Sequence, residues 1–77
     1  MIPQKPLADF SRSEISWLID EYVFVERDRG LLKRRWLDGI RFAILAEEFD
    51  LSERQVKNII RKAGDQVFRH LDKLRLH

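Results

Sequence analysis

The sequence predicts an all-α fold, a domain of four helices with a long last helix. Proline stops at Pro6 and glycine occurs only at Gly30, Gly39 and Gly64, so few positions resist helix formation. No stretch alternates apolar and polar residues with the period of two that a half-buried strand requires. The 77 residues suffice for one compact core and are too few for a cleft between two domains.

The first helix and the segment before it are predicted from local signals. Residues 1–10 are expected to form a flexible N-terminal arm, because two prolines interrupt regular structure there. Ser11 and Glu14 have the spacing of a capping box, which opens a helix. That helix is expected to end at the β-branched and aromatic run 23–25. Residues 11–77 are expected to form a single helical domain.

The second helix is predicted from about residue 27 to residue 37. Leu31, Leu32 and Trp36 are its inward-facing candidates, because they recur at helical spacing. Gly39 is expected to end the helix, since glycine readily adopts the left-handed conformation that often closes a helix C-terminus.

The third and fourth helices are predicted on either side of a short turn. Apolar residues at intervals of three and four predict a helix over Phe42–Phe49. Residues 50–52 form the turn. Ser52 is a natural N-cap for a fourth helix that runs to about Leu74.

The segment 41–63 has the spacing of a helix-turn-helix. Ala46 is small where the two helices must approach closely, and Leu51 is expected to fill the space between them. Val56 and Ile59 are expected to pack the second helix onto the first. In this motif the second helix projects from the protein surface, so that it can enter the major groove of DNA.

The fourth helix has one apolar and one polar side at about 100° per residue. The apolar side comprises Val56, Ile59, Ile60, Ala63, Val67 and Leu71. The polar side comprises Arg54, Lys57, Asn58, Arg61 and Asp65. Cations suit phosphates and guanine edges, and Asn suits adenine. A helical hairpin with a solvated outer face would give the same pattern, but the capped turn favours the helix-turn-helix.

Charge is distributed unevenly along the chain. Residues 52–77 contain seven Lys/Arg and three Asp/Glu, whereas residues 1–51 contain eight Lys/Arg and ten Asp/Glu. The last third is therefore basic within a chain of net charge +2. This asymmetry indicates an anionic partner for that segment.

Within this region the sequence resembles region four of bacterial sigma factors, the part that contacts the promoter. The matching residues are Leu45-Ala46, Phe49-Asp50-Leu51-Ser52, Arg54-Gln55-Val56-Lys57-Asn58-Ile59 and Lys62-Ala63. Residues 26–39 resemble the first half of that region, so the similarity spans about residues 26–74. Short phage and prophage proteins of this kind exist, and the chain is similar to them in length.

The resemblance implies that the start of the fourth helix contacts the bases. The base-contacting candidates carried over in this way are Glu53, Arg54, Gln55, Lys57 and Asn58. The phosphate-contacting candidates on the second and fourth helices are Arg34, Arg35, Ser52, Arg61 and Lys62. The chain departs from the family at Arg41, where a Ser or Thr cap is common, and at Ile44, where a glutamate is usual. The order Glu53-Arg54 also differs from that of primary sigma factors, so the family's base preference is not transferred.

Other function classes lack a sequence signal. There is no cysteine, and the two histidines have no carboxylate pattern around them, so we expect no metal and no cofactor. No glycine-rich phosphate loop and no nucleophile–base set is present, so we expect no enzyme. No apolar run approaches the roughly 20 residues that span a bilayer, and no signal peptide is recognisable. We therefore expect no membrane partner and a cytoplasmic, nucleoid-associated location.

The sequence thus predicts sequence-specific binding of double-stranded DNA, with transcription regulation of phage or mobile-element type. One alternative is an adaptor that binds RNA polymerase or a sigma factor and contacts DNA weakly. Another is an accessory protein of phage packaging or recombination. One small core cannot easily bury three further large aromatic side chains, Trp17, Phe24 and Trp36. Three interpretations of them are therefore kept: burial in the core, a homodimer interface and a surface that faces RNA polymerase.

Overall fold

The computed structural model describes the backbone of residues 9–75 and the side chains of residues 9–72. Its helices are α1 (Arg12–Tyr22), α2 (Glu26–Asp38), α3 (Phe42–Phe49) and α4 (Glu53–Arg75). No strand occurs in the described backbone, so the predicted all-α class and its long last helix are confirmed. None of the described helices combines the length and apolarity needed to cross a bilayer.

The ends of α1 and α2 follow from local hydrogen bonds. The Glu14 amide donates to Ser11 Oγ at 3.1 Å and the Ser11 amide donates to Glu14 Oε1 at 2.9 Å, which confirms the capping box. After α1, Arg29 Nη1 donates to the carbonyl of Val23 at 2.9 Å. Gly39 ends α2 with φ 65°, in the left-handed region that L side chains rarely adopt.

The core lies between α4 and the other three helices, each of which packs against it. Its buried side chains are Phe10, Leu18, Ile19, Val23, Leu31, Leu32, Leu45, Ala46, Val56, Ile60, Ala63, Val67 and Leu71. No polar or charged side chain is buried among the described residues. The molecule is elongated, 40 × 19 × 17 Å, because the 23 residues of α4 run about 35 Å at about 1.5 Å per residue.

The predicted N-terminal arm is wrong at its last residue. Phe10, assigned to the arm, is only 6 % exposed and belongs to the core. Burial of a large aromatic ring next to the α1 cap outweighs the cost of ordering one more residue. Residues 1–8 of the arm lie outside the described residues.

The three aromatic residues of uncertain burial differ in their surroundings. Trp17 is 48 % exposed and Phe24 is 75 % exposed, so neither is a core residue. Trp36 is half-buried, and its ring lies against Gly64, where an added Cβ would be 3.0 Å from Trp36 Cζ2. The Phe68 ring lies on the same side, 5.7 Å from the Trp36 ring centroid.

Candidate nucleic-acid interface

The turn between α3 and α4 is closed by backbone hydrogen bonds. Asp50 adopts the left-handed conformation, with φ 55° and ψ 50°, and its amide donates to the carbonyls of Ala46 and Glu47. The Leu51 amide also donates to the Ala46 carbonyl, at 2.9 Å. Aspartate tolerates this conformation better than most residues. The turn therefore ends α3 sharply and sets where α4 begins.

The start of α4 is held by a second capping box. The Gln55 amide donates to Ser52 Oγ at 3.1 Å, and the Ser52 amide donates to Gln55 Oε1 at 2.9 Å. Ser52 is therefore the predicted N-cap, and its hydroxyl proton remains able to bond a phosphate. Gln55, a base-contacting candidate, accepts one hydrogen bond through its carboxamide oxygen in the cap, and its side-chain NH₂ group stays available for another partner.

The packing between α3 and α4 agrees with the predicted helix-turn-helix. Leu45 and Val56 are fully buried, and Ala46 is 8 % exposed. Leu51 is only partly buried, but it packs against the core from the turn. These contacts fix which face of α4 turns inward.

The outward face of α4 carries the candidate DNA contacts. Five of the six predicted inward residues of α4 are buried, and the sixth, Ile59, is partly buried. The side chains exposed on the other face are Glu53, Arg54, Gln55, Lys57, Asn58, Arg61, Lys62 and Asp65. Within the described side chains, Arg54, Asn58 and Arg61 form no hydrogen bond or ion pair. Their donors are therefore available to an external partner.

Arg34 of α2, a phosphate-contacting candidate, already binds an acid. Its Nη2 lies 2.6 Å from Glu48 Oε2 and 2.8 Å from Glu48 Oε1, so the guanidinium joins α2 to α3. The hydrogen bond and the charge of Glu48 raise the pKa of Arg34 above its usual value. A DNA phosphate would have to compete with this carboxylate for Arg34.

Arg35, the other candidate on α2, lies beside an aromatic ring. Its Nη1 donates to the Ile40 carbonyl at 3.1 Å, and its Cζ lies 4.2 Å from the centroid of the Phe42 ring. Lys57 Nζ lies 5.5 Å from the same centroid. Phe42 is half-buried and packs against the core, and its ring brings together cations from α2 and α4. Only the tertiary arrangement reveals this cluster.

Fold and site together define an all-α protein in which a capped helix presents a polar, mostly basic face beside a short turn. No family model matches the chain, and no curated protein or solved structure matches it. The resemblance to sigma region four therefore rests on the residue pattern of the sequence alone.

Proposed function

We propose that this protein binds double-stranded DNA sequence-specifically, by inserting the N-terminal half of α4 into the major groove. The observation that carries this proposal is the exposed set Arg54, Asn58 and Arg61, which has no partner among the described side chains, on a helix whose opposite face is buried. Arg can bond guanine O6 and N7, and Asn can bond adenine N6 and N7. Arg54 and Asn58 are the proposed base contacts, because they lie in the first two turns of α4.

Phosphate contacts are proposed to fix the register of α4 on the duplex. Arg61 and Lys62 lie further along α4 and are exposed. The Ser52 hydroxyl is exposed at the helix start, where the helix dipole also favours an anion. Arg35 of α2 lies beside the Phe42 ring of α3, which Lys57 of α4 also approaches.

The wider role proposed for the protein is transcription regulation of the sigma-region-four type, in a phage or mobile element, with a location at the nucleoid. The residues shared with region four support it, and so does the capped second helix of the helix-turn-helix. RNA polymerase is the further partner that this role implies.

A pair of charge reversals on α4 tests the DNA-binding proposal. Arg61→Glu places an acid within the proposed interface. Arg69→Glu makes the same change on an exposed position of the same helix, about 12 Å further along its axis. We expect Arg61→Glu to weaken binding at least about tenfold, since like charges brought together cost more than about 1.4 kcal/mol.

The control Arg69→Glu is expected to weaken binding much less. Binding is measured by fluorescence anisotropy on a duplex selected from random DNA, and circular dichroism confirms that both variants remain helical. Equal binding by wild type and Arg61→Glu would show that DNA does not use this face. No DNA affinity of the wild type at low salt would refute the proposal.

The second candidate function is an adaptor that binds RNA polymerase or a sigma factor. Large apolar side chains that stay exposed favour it: Phe24 is 75 % exposed, and Trp17 and Ile44 are each 48 % exposed. Protein interfaces are enriched in such aromatic residues. An adaptor should keep its partner when Arg61 is reversed and lose it on Phe24→Ser. Sedimentation at micromolar concentration separately tests a homodimer through these residues.

A further inference from the structure

Phe42 of α3 is the point where α2 and α4 each bring a cationic side chain to the same ring. Arg35 of α2 places Cζ 4.2 Å from the Phe42 ring centroid, and Lys57 of α4 places Nζ 5.5 Å from it. The Ile40 carbonyl accepts a hydrogen bond from Arg35 Nη1 at 3.1 Å, which restrains the guanidinium. Two cations of different helices are thereby held beside one ring.

The charge of this cluster is not balanced within the described side chains. Arg12, Lys33 and Arg34 each pair with a carboxylate, at 2.9, 2.7 and 2.6 Å respectively. Neither Arg35 nor Lys57 forms an ion pair with any of the described side chains. The face of the ring attracts each cation, but the ring carries no net charge, so the mutual repulsion of the two cations is only partly offset. An anion that contacts both cations would offset that repulsion.

We propose that Arg35 and Lys57 bind one phosphodiester of the DNA backbone, and that Phe42 is the residue that positions both cations. This inference rests on the proposed function, because it takes the anion to be a phosphate of the duplex that α4 enters. Lys57 was a base-contacting candidate. Its ammonium lies towards α3 beside the ring, so it binds at the rim of the groove and contributes affinity rather than sequence preference.

Four variants separate this inference from its alternatives. Lys57→Ala removes one cation. Phe42→Leu removes the aromatic face and keeps an apolar side chain of similar size. Phe42→Tyr keeps the face and is the conservative control, and Arg54→Ala is the control for a base contact. Each is titrated against the selected duplex and a scrambled duplex at several salt concentrations, and thermal melting checks that each variant folds.

Lys57→Ala should weaken binding of both duplexes by the same factor and lower the slope of log K against log salt by about one unit. Phe42→Leu should weaken both about two- to fivefold, the value of a cation–π contact of about 0.5–1 kcal/mol, and Phe42→Tyr should bind like wild type. Arg54→Ala should instead reduce the ratio of the affinity for the selected duplex to the affinity for the scrambled duplex.

Two results would overturn the inference while leaving the proposed function intact. One is a Lys57→Ala variant that loses discrimination with an unchanged salt slope, since Lys57 would then contact a base. The other is a Phe42→Tyr variant as weak as Phe42→Leu, since the aromatic face would then not matter.

A wild type with no DNA affinity would contradict the proposed function itself. Inorganic pyrophosphate then tests the anion site alone, through the NMR signals of Arg35 and Phe42. Shifts that vanish in Lys57→Ala would support a site for a free phosphate group, and unshifted signals would refute an anion site of either kind.

Discussion

Replacing Ser52 separates the capping of α4 from its contact with DNA. The Ser52 hydroxyl accepts a hydrogen bond from the Gln55 amide at 3.1 Å and so caps the helix. Ser52→Ala removes this acceptor and should destabilise the fold by about 1 kcal/mol, the usual value for an N-cap. For a domain of this size, that loss lowers Tm by roughly 4–8 °C. Ser52→Asn and Ser52→Asp both keep a capping oxygen, so both should melt close to wild type or above it.

Ser52→Asn and Ser52→Asp differ in charge, so we expect them to differ in DNA affinity. Ser52→Asp places a negative charge at the start of α4, where we expect the DNA backbone, so its affinity should fall at least about tenfold relative to Ser52→Asn. Thermal melting gives the stabilities and anisotropy titration gives the affinities. Equal DNA affinity of the Asn and Asp variants would show that the start of α4 does not approach the backbone. Unchanged melting of Ser52→Ala would show that the cap is not formed.

Three further predictions concern packing and charge. Leu45→Ala should destabilise the domain by about 2–5 kcal/mol in denaturant unfolding, because the side chain is fully buried between α3 and α4; a loss below about 1 kcal/mol would contradict the observed packing. Gly64→Ala should gain little stability, because its Cβ would meet the Trp36 ring at 3.0 Å, but in a Trp36→Leu background it should stabilise by about 1 kcal/mol; equal effects in both backgrounds would exclude the clash. Glu48→Gln should weaken the hold on Arg34, whose remaining acid, Asp38, lies 3.9 Å away, and so raise affinity for specific and scrambled DNA alike; unchanged affinity would remove Arg34 from the interface.

Local signals predicted most of the fold, because they act over a few residues. The capping residue Ser11, the stop at Gly39 and the bounds of α3 depend on near neighbours and backbone conformation. The two faces of α4 follow from the helical period. The second capping box could also have been predicted from its Ser-x-x-Gln spacing, but Gln55 was assigned a contact with the DNA bases instead. Phe10 was wrongly included in the flexible arm, because the prolines before it led us to extend the predicted arm one residue too far.

The charge network of the site could not be predicted from the sequence. The Arg34–Glu48 pair joins residues 14 positions apart, and it depends on how α2 crosses α3. The cluster at Phe42 requires three helices to meet, and no local spacing indicates it. Helical periodicity shows which side chains face outward. It does not show which of them an acid or an aromatic ring already engages.

The most direct test is whether wild-type protein prefers one DNA sequence through the first two turns of α4. A duplex selected from random DNA and its scrambled counterpart are titrated with wild type, Arg54→Ala and Asn58→Ala at several salt concentrations. We predict that wild type prefers the selected duplex and that each substitution loses about 1–3 kcal/mol of discrimination at one base pair while the fold stays intact. Equal affinity of wild type for both duplexes, or variants that discriminate as wild type does, would contradict the proposal that α4 reads DNA.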